Sequence, residues 1–289
     1  MKQLKQLFDF YLDSSIHVAL SCFALVNCTY IILNISLNYS VALFAFFGTI
    51  AGYNFVKFDA LARAKKNNMS WKLKAIAGLS FLSLIIGIYY FLELQKITKI
   101  IASIVLILTI LYTLPFFPNK RNARNWAGFK IYIVAICWVG VTLLLPIINS
   151  DYKIDYQIGI LILQRLFLIF SLILIFEIKD LKNDDLHLKT VPQQIGVAKT
   201  KNLGFVLLIL FIGLSSINSN CNYNINYNIN GNGNGNCNFN YQYLELNFVI
   251  AIVIGFFLFF SNENRSKYFT DFWVESIPIA WWLLYIFSK

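Results

Sequence analysis

The stretch IGILILQRLFLIFSLILIFEI, residues 158–178, decides the fold. A hydrocarbon core of ~30 Å asks for about 20 residues of helix. This run meets that length and is almost wholly apolar. It carries Arg165 near its middle and Glu177 at its end, and it runs straight into Lys179-Asp180-Leu181-Lys182-Asn183-Asp184-Asp185. An unpaired cation in the middle of such a span costs at least ~2.5 kcal/mol. Arg165 is therefore expected to face other helices, with Glu245, Glu275 or a cavity-bound anion as partner and a structural ion pair as its role.

Working outward, similar apolar runs recur along the whole chain. We place spans at Ile16 to Ser36, Val41 to Phe58, Ile76 to Leu92, Ile100 to Phe116, Ile131 to Ile147, Ile158 to Ile178, Leu203 to Ser216, Leu244 to Phe260 and Phe272 to Phe287. Hydrophobic residues make up 58% of the 289 and charged residues only 13%, a balance that excludes an ordinary water-soluble domain. The expected fold class is all-α: a polytopic transmembrane helical bundle of about nine spans, forming one domain over residues 1–289. No short cleavable signal precedes the first span, which is expected to be retained. The seventh span is short for a bilayer and is expected to be thinned, tilted less, or extended by the polar residues that follow it.

The formal charge of +10 does not point to nucleic acid, because the basic residues are scattered through short loops. With a cytoplasmic amino terminus, the inner segments hold Lys2, Lys5, Lys57, Arg63, Lys65, Lys66, Lys72, Lys74, Lys120, Arg121, Arg124, Lys130, Lys179, Lys182, Lys189, Lys199, Lys201, Arg265 and Lys267. The outer side holds only Lys96, Lys99, Lys153 and Lys289, and that asymmetry sets the orientation. The expected location is an integral position in a membrane, the bacterial inner (cytoplasmic) membrane, with lipids as partners and no nucleic acid.

Residues 218–240 place asparagine at every even position, twelve in all, without a charge. The two-residue period also fits a strand, but the low complexity favours a loop on the outer side. Cys221 and Cys237 flank the repeat and would pair only in an oxidising compartment. Cys22, Cys28 and Cys137 lie in spans and read as small buried residues. With His17 and His187 the only histidines, no zinc site is expected.

The chemistry gathers at the end of the sixth span. If that helix continues, Glu177, Asp180 and Asp184 stand at i, i+3 and i+7 on one face. Converging carboxylates call for a counter-charge, and a hard divalent cation with oxygen ligands suits them. The plain alternative is a solvated helix end in which Lys179, Lys182 and Lys189 satisfy the acids. Lys120, Arg121, Arg124 and Lys130 likewise suit either phosphate or lipid headgroups and topology.

This acidic face, the nine spans and the following Lys189-Thr190-Val191-Pro192 with Gly196 resemble the UbiA superfamily of intramembrane prenyltransferases, over essentially the whole chain except the asparagine repeat. The resemblance implies transfer of an isoprenyl group from a prenyl diphosphate to a lipophilic or aromatic acceptor with Mg2+. It implies Glu177, Asp180 and Asp184 as metal ligands, Asp180 and Asp184 as catalytic, and Lys57, Asn54, Lys120, Arg121, Arg124, Lys130 and Lys189 at the diphosphate. The family's first motif, N-D-x-x-D-x-x-x-D, survives here only as Asn54, with Phe55, Phe58 and Ala62 at the acid positions. Two accounts stay open: Lys57 contacts a phosphate oxygen in place of a cation, or the protein is a non-catalytic relative that binds a prenyl diphosphate or lipid. A small transporter is disfavoured, since the ionisable residues cluster at one membrane face.

Overall fold

A computed structural model of the chain describes residues 2–64, 70–114, 128–219 and 241–288. Most of the asparagine repeat, with Cys221 and Cys237, and the basic residues Lys120, Arg121 and Arg124 lie outside the described residues. Every regular element among the described residues is a helix, and none is a strand. They form α1 (Lys2–Asp13), α2 (Ile16–Ile32), α3 (Tyr39–Ala64), α4 (Trp71–Glu93), α5 (Lys96–Thr113), α6 (Lys130–Val139), α7 (Leu145–Asn149), α8 (Tyr156–Asp180), α9 (Val191–Ile195), α10 (Val197–Ser219), α11 (Tyr241–Phe260) and α12 (Ile277–Phe287).

Seven helices are long and apolar enough to cross a membrane, counting α6 and α7 as one rod. The pair α1 and α2, bent by 53°, gives an eighth if read as a single span. The expected ninth is split: a π-helical turn, Phe269–Val274, precedes the 11 residues of α12. The short seventh span is instead a full 23-residue helix, because Val197 to Asn202 extend it at its start.

Burial separates centre from rim. In α8 61% of the span is buried, against 17% in α4 and in α5. Phe81, Ile85 and Tyr89 of α4, Ile100 and Ile104 of α5, and Phe256 and Phe259 of α11 are exposed. An exposed apolar belt of this kind is what lipid tails solvate. One core joins α8, α10, α11 and α12 around Ile175, Phe211, Ile254 and Trp281. A second joins α2, α3 and α5 around Val26, Val41, Ala45 and Ala102.

The break between α6 and α7 follows from two residues. Pro146 has no N–H to give to the carbonyl four residues back, that of Thr142. A π turn, Gly140–Leu144, opens there, and the Thr142 carbonyl accepts the Thr29 hydroxyl of α2 at 2.7 Å instead. Gly140 permits the close approach of α5, since a Cβ at that position would stand 2.9 Å from Val105 Cγ2.

This junction also accommodates Arg165, which is 1% exposed. Its guanidinium donates to the Leu25 carbonyl at 3.2 Å, to Thr29 Oγ1 at 3.2 Å and to Thr142 Oγ1 at 3.5 Å. It lies over the Trp281 ring at 5.4 Å. The expected acidic partner is absent among the described residues: neutral oxygens and a ring face hold the charge, and neither Glu245 nor Glu275 pairs with it. The fork satisfies several acceptors at once, as a lysine would not.

At the opposite end from the α4–α5 connection, α1 packs as a collar. Asp9 pairs with Lys267 at 2.9 Å and accepts from the Tyr268 hydroxyl at 2.7 Å, a bond that holds that phenol above its ordinary pKa. Phe8 meets Phe272 edge-on at 5.2 Å. The collar fixes the start of the π turn that leads into α12.

Candidate functional site

A cavity of about 390 Å³ opens within the bundle, walled by α2, α3, α5, α6, α8 and α12. Most of its lining is apolar or aromatic: Val56, Tyr112, Ile131, Val134, Trp138, Ile169, Leu172 and Phe176 among others. Among the described residues its charged lining is Lys57, Lys130, Glu177, Asp180 and Glu275. A predominantly apolar cleft with a few convergent polar groups is the usual form of a small-molecule site.

Each charged group reaches the cavity for a local reason. Glu177 sits three residues before the end of α8 and is 2% exposed. Its Oε2 accepts the Val191 N–H at 3.0 Å, while its Oε1 is buried and has no hydrogen-bond partner among the described residues. The segment that delivers Val191 is itself pinned. The Thr190 N–H donates to Gln193 Oε1 at 2.9 Å, and Gln193 Nε2 donates to the carbonyls of Asp184 and Asp185 at 3.3 and 3.2 Å. Gly196, with φ +81°, turns the chain from α9 into α10 in a conformation that disfavours L side chains.

Asp180 is the last residue of α8, so the expected i, i+3, i+7 face of three acids is only partly realised. The chain leaves the helix in a turn, with the Asp184 N–H donating to the Asp180 carbonyl at 2.9 Å. Glu177 and Asp180 line the cavity, and Asp184 does not. Asp184 pairs with Lys130 at 3.1 Å, with side chains only 9% and 17% exposed. Asp180 pairs with Lys179 at 2.8 Å. Among the described residues no three His, Cys, Asp or Glu side chains come close enough to hold a metal together.

The α3 wall differs from the expectation in a defined way. Tyr53, Val56 and Lys57 line the cavity at i, i+3 and i+4, and the Tyr53 hydroxyl accepts from Trp138 Nε1 at 2.8 Å across to α6. Asn54 falls between them and turns away. Its Nδ2 donates to the Ser14 carbonyl and to Ser80 Oγ, both at 2.9 Å, which ties α3 to α4 and to the α1–α2 elbow. Phe55 is exposed. Lys189 is exposed and lies outside the cavity lining.

Sequence reasoning named Glu275 only as a partner for Arg165. In the structure it lines the cavity at the junction of the π turn and α12. Its position is set by its own N–H, which donates to the Thr270 carbonyl at 3.1 Å, and by the Ser21 hydroxyl, which donates to its main-chain carbonyl. The available signal was an acidic residue beside Pro278 in an apolar segment, where an ionisable group is expensive unless used.

The arrangement is thus an apolar chamber into which two ammonium groups and three carboxylates of the described residues converge. No described protein family and no curated relative matches the chain by sequence. Solved structures do match it in fold. A UbiA homologue from Aeropyrum pernix K1 superposes with a TM-score of 0.63 at 11% identity, covering 94% of this chain and 98% of that one. A UbiA homologue from Archaeoglobus fulgidus gives 0.56 at 13%, covering 96% and 98%. A structure of digeranylgeranylglyceryl phosphate synthase gives 0.56 at 17%, covering 99% and 98%. The chain is a polytopic helical membrane protein, and its helices follow the fold of the UbiA homologues over nearly their whole length.

Proposed function

We propose that this protein is an intramembrane prenyltransferase, moving an isoprenyl group from a prenyl diphosphate to a lipophilic acceptor at the cytoplasmic side of the membrane. The observation that carries the reading is the apolar cavity whose charged lining gathers Lys57 and Lys130 with Glu177, Asp180 and Glu275. The likeness to UbiA homologues adds to it.

On this reading the diphosphate lies at the rim and the hydrocarbon tail lies between Trp138, Ile169, Leu172 and Phe176. The unpartnered Glu177 Oε1, with Asp180 on the same wall, fits a hard divalent cation such as Mg2+, which commonly takes one or two carboxylates together with substrate phosphate oxygens and water. When bound, that ion supplies charge neutralisation at the departing diphosphate. Lys130, steadied by Asp184, presents an ammonium to the same oxygens. Asp184 then acts by positioning Lys130. The allylic C–O bond breaks with its electron pair passing to the diphosphate, and the acceptor's nucleophilic atom bonds to the freed carbon. Glu275 stands on a different wall from the acids of α8 and is placed to receive the proton that the acceptor gives up. The apolar walls exclude water, a competing nucleophile. Lys189, exposed outside the cavity lining, and Lys120, Arg121 and Arg124, outside the described residues, are proposed as further positive charge for the diphosphate.

Transfer of label from an isoprenyl diphosphate into a lipid-extractable product, dependent on Mg2+ and lost in Asp180→Asn, tests the reading. Unchanged product in that variant removes Asp180 from the reaction. A second reading, a non-catalytic protein that binds a prenyl diphosphate or lipid, is favoured by Asn54 being committed to Ser14 and Ser80, and Mg2+-dependent turnover disposes of it.

A further inference from the structure

We infer that the cavity holds its diphosphate with one divalent cation, and that the Lys57 ammonium, in direct contact with phosphate oxygens, replaces a second. The inference rests on the prenyl diphosphate reading and concerns how that head group is held.

The two walls of the rim are not equivalent. On the α8 side, Glu177 offers a buried oxygen without a partner and Asp180 lines the same space. Two carboxylates with phosphate oxygens and water suffice for one magnesium. On the α3 side the described residues lining the cavity are Tyr53, Val56 and Lys57, none of them a carboxylate. The asparagine one turn earlier in the wall has its amide donors spent on Ser14 and Ser80, away from the cavity.

The cations of the rim also differ in their commitments. Lys130 is paired with Asp184 at 3.1 Å. Lys57 makes no hydrogen bond and no ion pair within 4.0 Å among the described residues, though it lines the same cavity as Glu275. An uncommitted ammonium on a four-carbon stem can follow a phosphate oxygen as a point charge. Glu275 gives it a counter-charge when the head group is away. Beside Glu177 and Asp180, the described lining offers Glu275 as its remaining carboxylate, one acid where the α8 wall presents two.

The test uses the detergent-purified full chain with Mn2+ and farnesyl thiolodiphosphate, an unreactive donor analogue. Equilibrium dialysis counts Mn2+ per chain and electron paramagnetic resonance reports whether the ions are coupled. One uncoupled Mn2+ per bound analogue is expected. Lys57→Ala is expected to weaken analogue binding by about tenfold or more, the scale of one lost charge-assisted contact, while Lys57→Arg retains most of it. Monodisperse elution of each variant controls for folding. Two coupled Mn2+ ions, or Lys57→Ala binding as well as wild type, overturns the inference and leaves the proposed function standing. Absence of analogue binding by the wild type overturns both.

Discussion

The Lys130–Asp184 pair permits a worked prediction. At 3.1 Å and an effective dielectric of about 20, the gross attraction is roughly 5 kcal/mol. Removing two charges from water costs several kcal/mol per ion and offsets most of that gain. With side chains 9% and 17% exposed, the pair is more protected than a surface bridge, whose usual worth is about 0–1 kcal/mol. We expect a coupling of about 1–2 kcal/mol in a double-mutant cycle of Asp184→Asn and Lys130→Met. Each single variant should be less stable than the double variant would suggest by addition, because each leaves one partner buried and unmatched. Thermal or denaturant unfolding in one detergent, followed by tryptophan fluorescence, measures the cycle. Effects that add within ~0.5 kcal/mol would refute the assignment of Asp184 as the counter-ion of Lys130.

Three further outcomes follow from the packing and the site. Arg165→Lys is expected to destabilise the protein more than Arg165→Met, because lysine keeps the buried charge but loses the fork to Leu25, Thr29 and Thr142; equal melting temperatures would refute this. Gly140→Ala is expected to cost about 1–3 kcal/mol, the usual range for overpacking, since its Cβ would meet a stiff valine branch at 2.9 Å, and Val105→Ala should recover part of the loss in the same unfolding assay. Glu275→Gln is expected to bind donor normally and to lower transfer about 100-fold or more, as loss of a general base does, while Glu275→Asp retains part of the rate; a deficit in donor binding of the same size would instead make it a binding residue.

Much of the fold is legible in the residues themselves. The apolar runs mark the spans, and Arg165 marks α8 as a central helix before any contact is known. That Lys57, Glu177 and Asp180 line one cavity is half legible: each lies near the end of an apolar run, but their convergence depends on tertiary packing. The expected continuous acid face stops short because the chain turns out of α8 after Asp180, and local spacing carries no signal for the Val191 N–H that takes up Glu177 Oε2. Asn54 was placed at the site by its position in a motif, whereas helical geometry puts it one step off the face that Tyr53 and Lys57 share. Glu275 was hidden because its position depends on a π turn and on Ser21, more than two hundred residues earlier in the chain. The cost of a buried cation points to a carboxylate or a bound anion for Arg165, but the Leu25 carbonyl, the Thr29 and Thr142 hydroxyls and the Trp281 face, brought together only by packing, supply its partners instead.

The most direct test of the central claim is binding of labelled geranylgeranyl diphosphate to the purified protein with and without Mg2+, in the wild type and in Asp180→Asn. The account predicts saturable binding that needs Mg2+ and falls at least about tenfold in the variant, the scale of one lost charge-assisted contact. Binding indifferent to both Mg2+ and Asp180, or no binding at all, would contradict a diphosphate site at the end of α8.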